Sequence, residues 1–436
     1  MRDFTATPFL SSTEIRNIQE RKFLETFRFV AARSPFYRNL LTSKNIKPES
    51  ILSLKDISFL PTISKTDMQH WNWDFLCVPR NQIVEYTSTS GTLGSPVTIA
   101  LTANDLERLA WNEYGSFMCA DGSAEDVYQL LLTLDRQFMA GIAYYMGLRK
   151  LGAGIIRLGP GAPAMQWENI RRLNPTAIVG VPSMLLKLVE FAQELDIDLN
   201  SSSVKKAICI GENIRNADFS LNNLGRKIQQ AWNIRFYSTY ASTEMQTAFT
   251  ECKEGVGGHL QPDLIYAELL DNNGNPVEEG EEGEVTITTL GVEGMPLIRY
   301  RTGDICIAHS SPCACGRNSM RLSPVLGRKQ QMIKLKGTTL YPPALFDLLN
   351  SMEEIKDYVA EVFSNDLGTD EVVLHILPQH MGMDLTQKIK TDLQSRLRVI
   401  PQIRYVSAEE IVQLQFPQGS RKAQKFKDHR KESKMI

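Results

Sequence analysis

Apolar positions along the chain follow two rhythms. From Ser12 to Arg33 they recur at helical spacing, through Ile15, Ile18, Phe23, Phe27, Phe29 and Val30. This predicts an opening helix with Ser12 and Thr13 as candidate caps and Ser34-Pro35 as its break. From about residue 84 the rhythm changes to short apolar runs alternating with amphipathic stretches. Val127–Leu134, Ala153–Gly159, Thr176–Val181, Lys206–Gly211 and Ile234–Tyr240 read as buried strands. Met139–Gly152, Gln166–Pro175, Ser183–Leu195 and Leu221–Trp232 read as helices, the second stopped by Pro175 and the third opened by Pro182-Ser183. Such alternation predicts an α/β fold, a sheet covered by helices.

After Cys252 the pattern becomes strand-rich, with Tyr266–Asp271, Asn273–Gly280, Gly283–Leu290 and Pro296–Asp304 as strands and turns of a β-subdomain. Five glutamates between Glu278 and Glu284 read as a solvated hairpin loop. Gly327–Gly337 marks a junction. Beyond it come a helix, two strands, a helix and the start of a strand at Ile403, the outline of a small α+β unit. The expected organisation is therefore residues 1–327 as a large domain, with a helical leader over 1–80, and residues 328–436 as a small one.

Composition narrows the class of protein. The 436 residues carry 48 Lys and Arg against 50 Asp and Glu. That balance argues against a general nucleic-acid or polybasic membrane binder. No stretch of about 18 apolar residues appears, and the first residues lack a signal-peptide pattern. Seven cysteines in this length do not make a disulfide scaffold. A soluble, cytoplasmic setting is expected, without nucleic-acid or membrane partners. A homodimer is one open option. The segment from Ser420 to Ile436 holds seven basic and two acidic residues, a local net of plus five.

Tyr86–Pro96, with the sequence YTSTSGTLGSP, concentrates hydroxyls and glycines between two apolar runs. Glycines let backbone N–H groups turn toward an anion, and hydroxyls add donors. A Walker loop requires a Lys after its second glycine, and Ser95 stands there. By composition alone a phosphate loop and an ordinary Ser/Gly hairpin stand level. Other motifs follow in order: Tyr240-Ala-Ser-Thr-Glu244, Tyr300-Arg-Thr-Gly-Asp304, Gly327-Arg328 with Ile333-Lys334 and Gly337, and Gly419-Ser-Arg-Lys422-Ala423. Together with the loop, this set resembles the adenylate-forming superfamily of acyl-CoA synthetases, luciferases and peptide-synthetase adenylation domains. Ser34-Pro-Phe-Tyr-Arg38, Gly180-Val-Pro-Ser183, Gly211-Glu212 and Cys313-Ala-Cys-Gly-Arg317 are similar to the phenylacetate–CoA ligase group within it. The resemblance covers nearly the whole chain.

The resemblance implies an AMP-forming ligase. It joins ATP to an aryl or arylacetic acid as an acyl-adenylate, then passes the acyl group to coenzyme A, with the small domain as a mobile lid. It implies roles residue by residue. Ser88, Thr89, Ser90, Gly91, Thr92 and Gly94 cradle the β- and γ-phosphates, and Glu244 helps hold Mg²⁺ while Thr243 donates to the α-phosphate. Asp304 accepts from the ribose, Arg328 contacts the nucleotide, and Lys422 stabilises charge passing between carboxylate and phosphorus. Lys425 and Lys427 compete with it for that role. Glu212, Tyr240, Ala241, Ser242, Lys334 and Gly337 complete the nucleotide set. Phe138, Ala140, Gly141, Tyr144 and Pro182, with Ile142 beside them, fall in the region of the acid pocket, though ordinary core positions explain them as well. Arg136, near the pocket mouth, stands open in the same way.

Two departures stand out. Gln330 and Gln331 occupy junction positions that carry acidic residues in the resembling group, and Ala241 replaces a motif glycine. An enzyme that loads a carrier-protein thiol or an amine, and a nucleotide-binding pseudoenzyme, remain alternatives. Finally, Cys252 and His259, with Cys313 and Cys315, form a Cys₃His set of the kind that binds structural zinc. Members of the resembling group carry the same pattern. The alternative is four separate residues of a β-region. Cys77, Cys119, Cys209 and Cys306 read as small core residues.

Overall fold

A computed structural model describes residues 6–89, 96–335, 338–364, 370–380, 385–397, 401–417 and 423–430. The chain forms two compact units. One comprises residues 1–221 and 225–325, the other 222–224 and 326–436.

The larger unit opens with α1 (Ser12–Arg33). Its cap is Ser11 rather than Ser12 or Thr13, because the Ser11–Glu14 pair closes a reciprocal capping box. Ser34 ends α1 and caps α2 (Pro35–Ser43), and its hydroxyl donates to the Asp74 carbonyl at 2.7 Å. Phe36 stacks on Phe75 at 4.0 Å, and the Ile298 N–H donates to the buried Tyr37 hydroxyl at 2.8 Å. The Ser-Pro-Phe-Tyr run is thus an anchor for the leader. A second anchor precedes α3 (Lys65–His70). Ile63 bonds through its backbone to Arg299 and Arg301 at 3.0 and 2.8 Å. The leader packs into the same hydrophobic core as the strands that follow.

A hairpin of β1 (Ile83–Ser88) and β2 (Thr98–Thr102) leads into α4 (Ala103–Cys119). The alternation then runs β3 (Val127–Leu130), α5 (Met139–Leu151), β4 (Gly154–Arg157), α6 (Pro163–Leu173), β5 (Ala177–Gly180), α7 (Pro182–Glu194), β6 (Lys206–Ile210), α8 (Asn223–Ala231) and β7 (Arg235–Ser242). Helix α6 ends one residue before Pro175 takes effect, because Asn174 adopts the left-handed conformation at φ 49°. The strands continue as β8 (Thr247–Glu251), β9 (Gly258–His259), β10 (Ile265–Leu270), β11 (Glu282–Thr289), β12 (Tyr300–His309) and β13 (Arg321–Leu322). One sheet runs β10-β11-β12-β13-β9-β8-β7-β6-β5-β3-β4. It is parallel from β4 to β7 and antiparallel from there on, so the strand-rich stretch extends the same sheet.

Two local expectations change. Asn273–Gly280 forms turns with a single bridge from Leu270 to Pro276, since its glycines and Pro276 favour turning. The glutamate run is not all solvated loop. Glu284 lies buried in β11, where the Arg301 Nε donates to it at 2.7 Å.

Helices α4 and α5 pack closely across Gly147, where a Cβ would meet the Glu113 side chain at 2.4 Å. Glu113 is consequently sealed between them. It accepts one bond from Asn112, and among the described residues its Oε2 has no partner. Burial pushes its carboxyl up to about 8.

The smaller unit begins with β14 (Gly327–Arg328), a 3₁₀ turn over Lys329–Gln331, β15 (Ile333–Leu335), β16 (Thr338–Leu340) and α9 (Pro342–Asn350). Strands β17 (Ile355–Ser364) and β18 (Asp370–Pro378), helix α10 (Leu385–Leu397), β19 (Gln402–Tyr405), α11 (Ala408–Gln415) and β20 (Phe426–Asp428) complete it, with sheet order β19-β18-β17-β20. The run after Tyr405 turns helical because Ser407 and Glu410 form a capping box.

The buried Glu113 gives a pH prediction. Between about pH 4.5 and pH 8 the unfolded chain ionises this carboxyl while the folded chain keeps it protonated, so stability falls as pH rises through that window. Glu113→Gln cannot ionise. Its melting temperature should gain on the parent by a few degrees between pH 5 and pH 8. A gap that does not move with pH in calorimetry would show that Glu113 is already charged in the folded chain.

Candidate functional site at the carboxyl edge of the sheet

The parallel strands reverse order between β3 and β5, and loops at their carboxyl ends flank that switch point, where open α/β sheets place ligands. Thr133–Phe138 follows β3, Val181–Ser183 follows β5, Gly211-Glu212 follows β6, and the Tyr240–Glu244 motif ends β7. The predicted site segments therefore share one edge.

At this edge Arg136 and Gln137 both take left-handed backbone, at φ 60° and 58°. The Ser88 N–H donates to the Gln137 carbonyl at 3.0 Å, which ties the start of the Ser/Thr-rich loop to the loop after β3. The Thr89 hydroxyl accepts from the Val97 N–H at 3.1 Å and closes the loop base. Ser90, Gly91, Thr92 and Gly94 lie outside the described residues, as do Gly337 and Lys422. Arg136 is exposed and pairs with Asp135 at 3.6 Å.

Tyr240 donates to Asp304 at 2.8 Å. Burial, followed by the Asp304 charge, pushes the Tyr240 phenol well above its usual range, so it remains a donor. Ala241 and Ser242 continue β7, and the Ser242 hydroxyl accepts from the Met245 N–H at 3.2 Å. Thr243 and Glu244 sit in the tight turn to β8. Glu244 is largely buried, and its Oε1 meets Lys65 at 3.6 Å and the Tyr300 hydroxyl at 3.3 Å. Among the described residues no protein group bonds Oε2, and a carboxylate oxygen is a hard donor suited to Mg²⁺.

The acid-pocket candidates divide. Phe138 and Ala140, at the start of α5, remain accessible. Gly141 is required by packing, since a Cβ would meet the Thr133 carbonyl at 2.1 Å. Tyr144 is buried and bonds the Thr239 hydroxyl at 3.1 Å, and Pro182 is the first residue of α7. Glu212 accepts from the Ser183 N–H and hydroxyl, both at 2.8 Å, so it caps α7. In the smaller unit Arg328 is exposed on β14, and Lys334 pairs with Thr339 in the β15–β16 ladder. Lys425 pairs with Asp357 at 3.1 Å, and Lys427 faces Glu361 at 3.8 Å.

Lys65 was not foreseen from the sequence. The Ser64–Asp67 capping box could signal the helix start, but the partner carboxylate lies far along the chain. The box and the Ile63 backbone bonds fix the helix start from which the lysine reaches Glu244.

The four predicted metal ligands come together where β8, β9 and β13 meet. Their ligand atoms lie within 4.8 Å of one another. The Cys252 and Cys313 sulfurs are 3.7 Å apart, and Cys315 Sγ lies 3.5 Å from His259 Nε2. Tetrahedral zinc with bonds of roughly 2.3 Å spaces its sulfurs about 3.7 Å apart, so the donors have the right separation. Burial, then the charges of Arg317 and Arg321, push the His259 imidazole down to about 3, which keeps it neutral as a ligand must be. Its Nδ1 faces the Ser319 hydroxyl at 3.3 Å. At Cys315 burial raises the thiol, but hydrogen bonds from Arg317 and the neighbouring thiols outweigh it and bring the group below its usual value.

This fold and edge define a class. A family model described as AMP-binding enzyme matches residues 42–294, more than half of the chain, and the chain belongs to that family. Phenylacetate-coenzyme A ligases of Thermus thermophilus and Escherichia coli are 27% and 25% identical to it, over 88% and 89% of this chain and 86% and 88% of their own. A crystal structure of 2-hydroxyisobutyryl-CoA ligase in complex with 2-HIB-AMP has a TM-score of 0.83 at 21% identity, covering 98% of this chain and 92% of that one.

Lys65 yields a prediction for nucleotide binding. A charge-assisted contact is worth about 1.5–3 kcal/mol. Lys65→Met should weaken ATP binding about tenfold or more and leave AMP binding within about twofold. Equal weakening of both nucleotides in calorimetric titrations would remove Lys65 from the polyphosphate side of the site.

Proposed function

We propose that this protein is an AMP-forming acid–CoA ligase whose acid is an aryl or arylacetic carboxylate. The observation that carries the reading is the Tyr240–Asp304 and Lys65–Glu244 pairing at the switch-point edge, in a chain of the AMP-binding family. Near full-length similarity to phenylacetate-coenzyme A ligases supports the choice of acid and acceptor.

The residues divide the work by position. Asp304, oriented by Tyr240, accepts from the ribose hydroxyls. The Ser88–Gly94 loop and Lys65 receive the β- and γ-phosphates, and Thr243 donates to the α-phosphate. Glu244 offers its free oxygen to Mg²⁺, which when bound neutralises phosphate charge. Attack of the acid's carboxylate on the α-phosphorus expels pyrophosphate and leaves the acyl-adenylate. The Lys422 ammonium balances the charge in that step, and attack by the coenzyme A thiol then expels AMP. Such chemistry depends on positioning and charge neutralisation. The unit after residue 327 acts as the lid between the two steps. Phe138 and Ala140 border the acid, with Tyr144 and Gly141 behind them. Cys252, His259, Cys313 and Cys315 hold a structural zinc ion with no ligand position left for catalysis. Reduced thiols of this kind fit a cytoplasmic setting.

The decisive experiment offers ATP with a panel of acids and reads pyrophosphate and thioester. Aryl or arylacetic acids should release pyrophosphate and acylate coenzyme A. Thioester on holo-carrier protein alone would move the chain to the carrier-loading class, and nucleotide binding without release would make it a pseudoenzyme. Lys422→Ala should lower acid-dependent pyrophosphate exchange by about a hundredfold or more with an unchanged melting temperature. Near-normal exchange would shift the role to Lys425 or Lys427. Elemental analysis of chelator-free protein should find about one zinc per chain, lost in Cys315→Ser together with a lower melting temperature. Zinc well below one per chain would end the metal assignment.

A further inference from the structure

The segment before α1 lies on the turn that carries two of the four candidate metal ligands. Thr7–Phe9 forms a 3₁₀ turn, with Thr7 and Pro8 buried and the Phe9 ring about half exposed. The Asn318 N–H donates to the Pro8 carbonyl at 2.7 Å. The Asn318 side-chain amide donates to the Leu10 carbonyl at 3.0 Å and to the Phe9 carbonyl at 3.4 Å. The Arg317 guanidinium stands over the Phe9 ring, 4.7 Å from its centroid, and its Nη1 donates to the Cys315 sulfur at 3.5 Å. One side chain therefore touches a candidate ligand atom and the N-terminal segment at once.

The turn closes on itself. The Gly316 N–H donates to the Cys313 carbonyl at 2.9 Å, and the Cys313 N–H donates to the Arg317 carbonyl at 3.0 Å. Gly316 takes left-handed backbone at φ 89°, and a Cβ there would touch the Phe9 ring at 3.7 Å. Cys313 and Cys315, once both are tied to one metal ion, restrict this turn to a single arrangement. The arrangement seen is the one that aims Arg317 and Asn318 at residues 8–10. Linkage makes the effect mutual. Whatever ligation adds to docking of the segment, docking adds to ligation.

We infer that Pro8–Leu10 is a clasp on the metal turn, coupled to the Cys₃His site through Arg317 and Asn318, so that metal occupancy holds the segment and the docked segment slows metal release. The inference rests on the structural-zinc reading. Phe9 and Asn318 are positioning residues in it. They act through Arg317 and through the turn backbone, and neither side chain is a ligand.

The test uses the full chain, loaded with zinc or stripped by a chelator. Hydrogen exchange at residues 7–12 and 316–320 should be about tenfold or more faster in the stripped protein, with β3 and β5 unchanged. Transfer of zinc from the loaded protein to a chromogenic chelator should be about fivefold faster in Phe9→Ala and in Asn318→Ala. Phe9→Tyr keeps an aromatic face for the guanidinium and should match the parent, whereas Phe9→Leu, apolar but without that face, should behave as Phe9→Ala does. Equal exchange of the segment in loaded and stripped protein would overturn the clasp. So would parental zinc release in both alanine variants, or rescue by Phe9→Leu. Stripping that also speeds exchange across β3 and β5 would mean broad unfolding. Zinc release from the folded, loaded variants then decides alone. A chain that takes up no zinc defeats the metal reading and the clasp with it, while zinc uptake without these changes defeats the clasp only.

Discussion

One buried guanidinium joins distant strands of the large sheet's antiparallel part. Arg108, on α4, donates to the Gln246 carbonyl at 2.8 Å, to the Thr247 hydroxyl at 3.2 Å, to the Leu290 carbonyl at 2.9 Å and to the Leu264 carbonyl. These acceptors lie in the β7–β8 turn and at the first residue of β8, just before β10 and just after β11. Burial pulls the group down to about 10, which leaves it charged at neutral pH. A buried cation is tolerable only when its donors are satisfied. Each acceptor must therefore stay where Arg108 needs it. Gln246 sits in left-handed backbone at φ 51°, a strain that this bond helps to hold. The same turn carries Thr243 and Glu244, so the position of the motif acid is set by a residue of a distant helix.

The leader constrains the site from the other side. Ile63 is bonded to the backbone around Tyr300, and Tyr300 in turn donates to Glu244. Arg299, beside it, pairs with Glu268 at 3.0 Å and donates to the Leu60 carbonyl at 2.7 Å. The leader, β10 and β12 thus share one buried ionic knot. The lysine that the leader delivers lies 3.6 Å from Glu244 Oε1. A reading that treats residues 1–80 as an appendage misses this.

Much of the architecture was legible because local rules govern it. Periodicity gave the α/β alternation of residues 127–240, and Cys and His types gave the grouping of Cys252, His259, Cys313 and Cys315 before any distance was known. Ordered motifs pointed to the edge where Tyr240, Glu244 and Asp304 converge. What escaped depends on contacts between residues far apart in sequence. Nothing local distinguishes Lys65 from a surface lysine, or Arg108 from any helix arginine. The same holds for Glu284, which looked like part of a solvated acidic loop until Arg301 met it across β11 and β12. Caps erred by one residue at Ser11, because Ser11, Ser12 and Thr13 compete and only the reach of Glu14 selects among them.

The two buried arginines show why such residues are silent in sequence. Arg299 has a carboxylate partner, so in principle a second charged position could betray it. Arg108 takes three of its four acceptors from backbone carbonyls, and every residue has one of those. A carbonyl cage reads chain position rather than side-chain identity. Around the turn that carries Glu244 the direct acceptors of Arg108 are neutral groups, with the charges of Asp105 and Asp263 acting on it from further off. The cage is built mainly of backbone groups, and for that reason it leaves no motif.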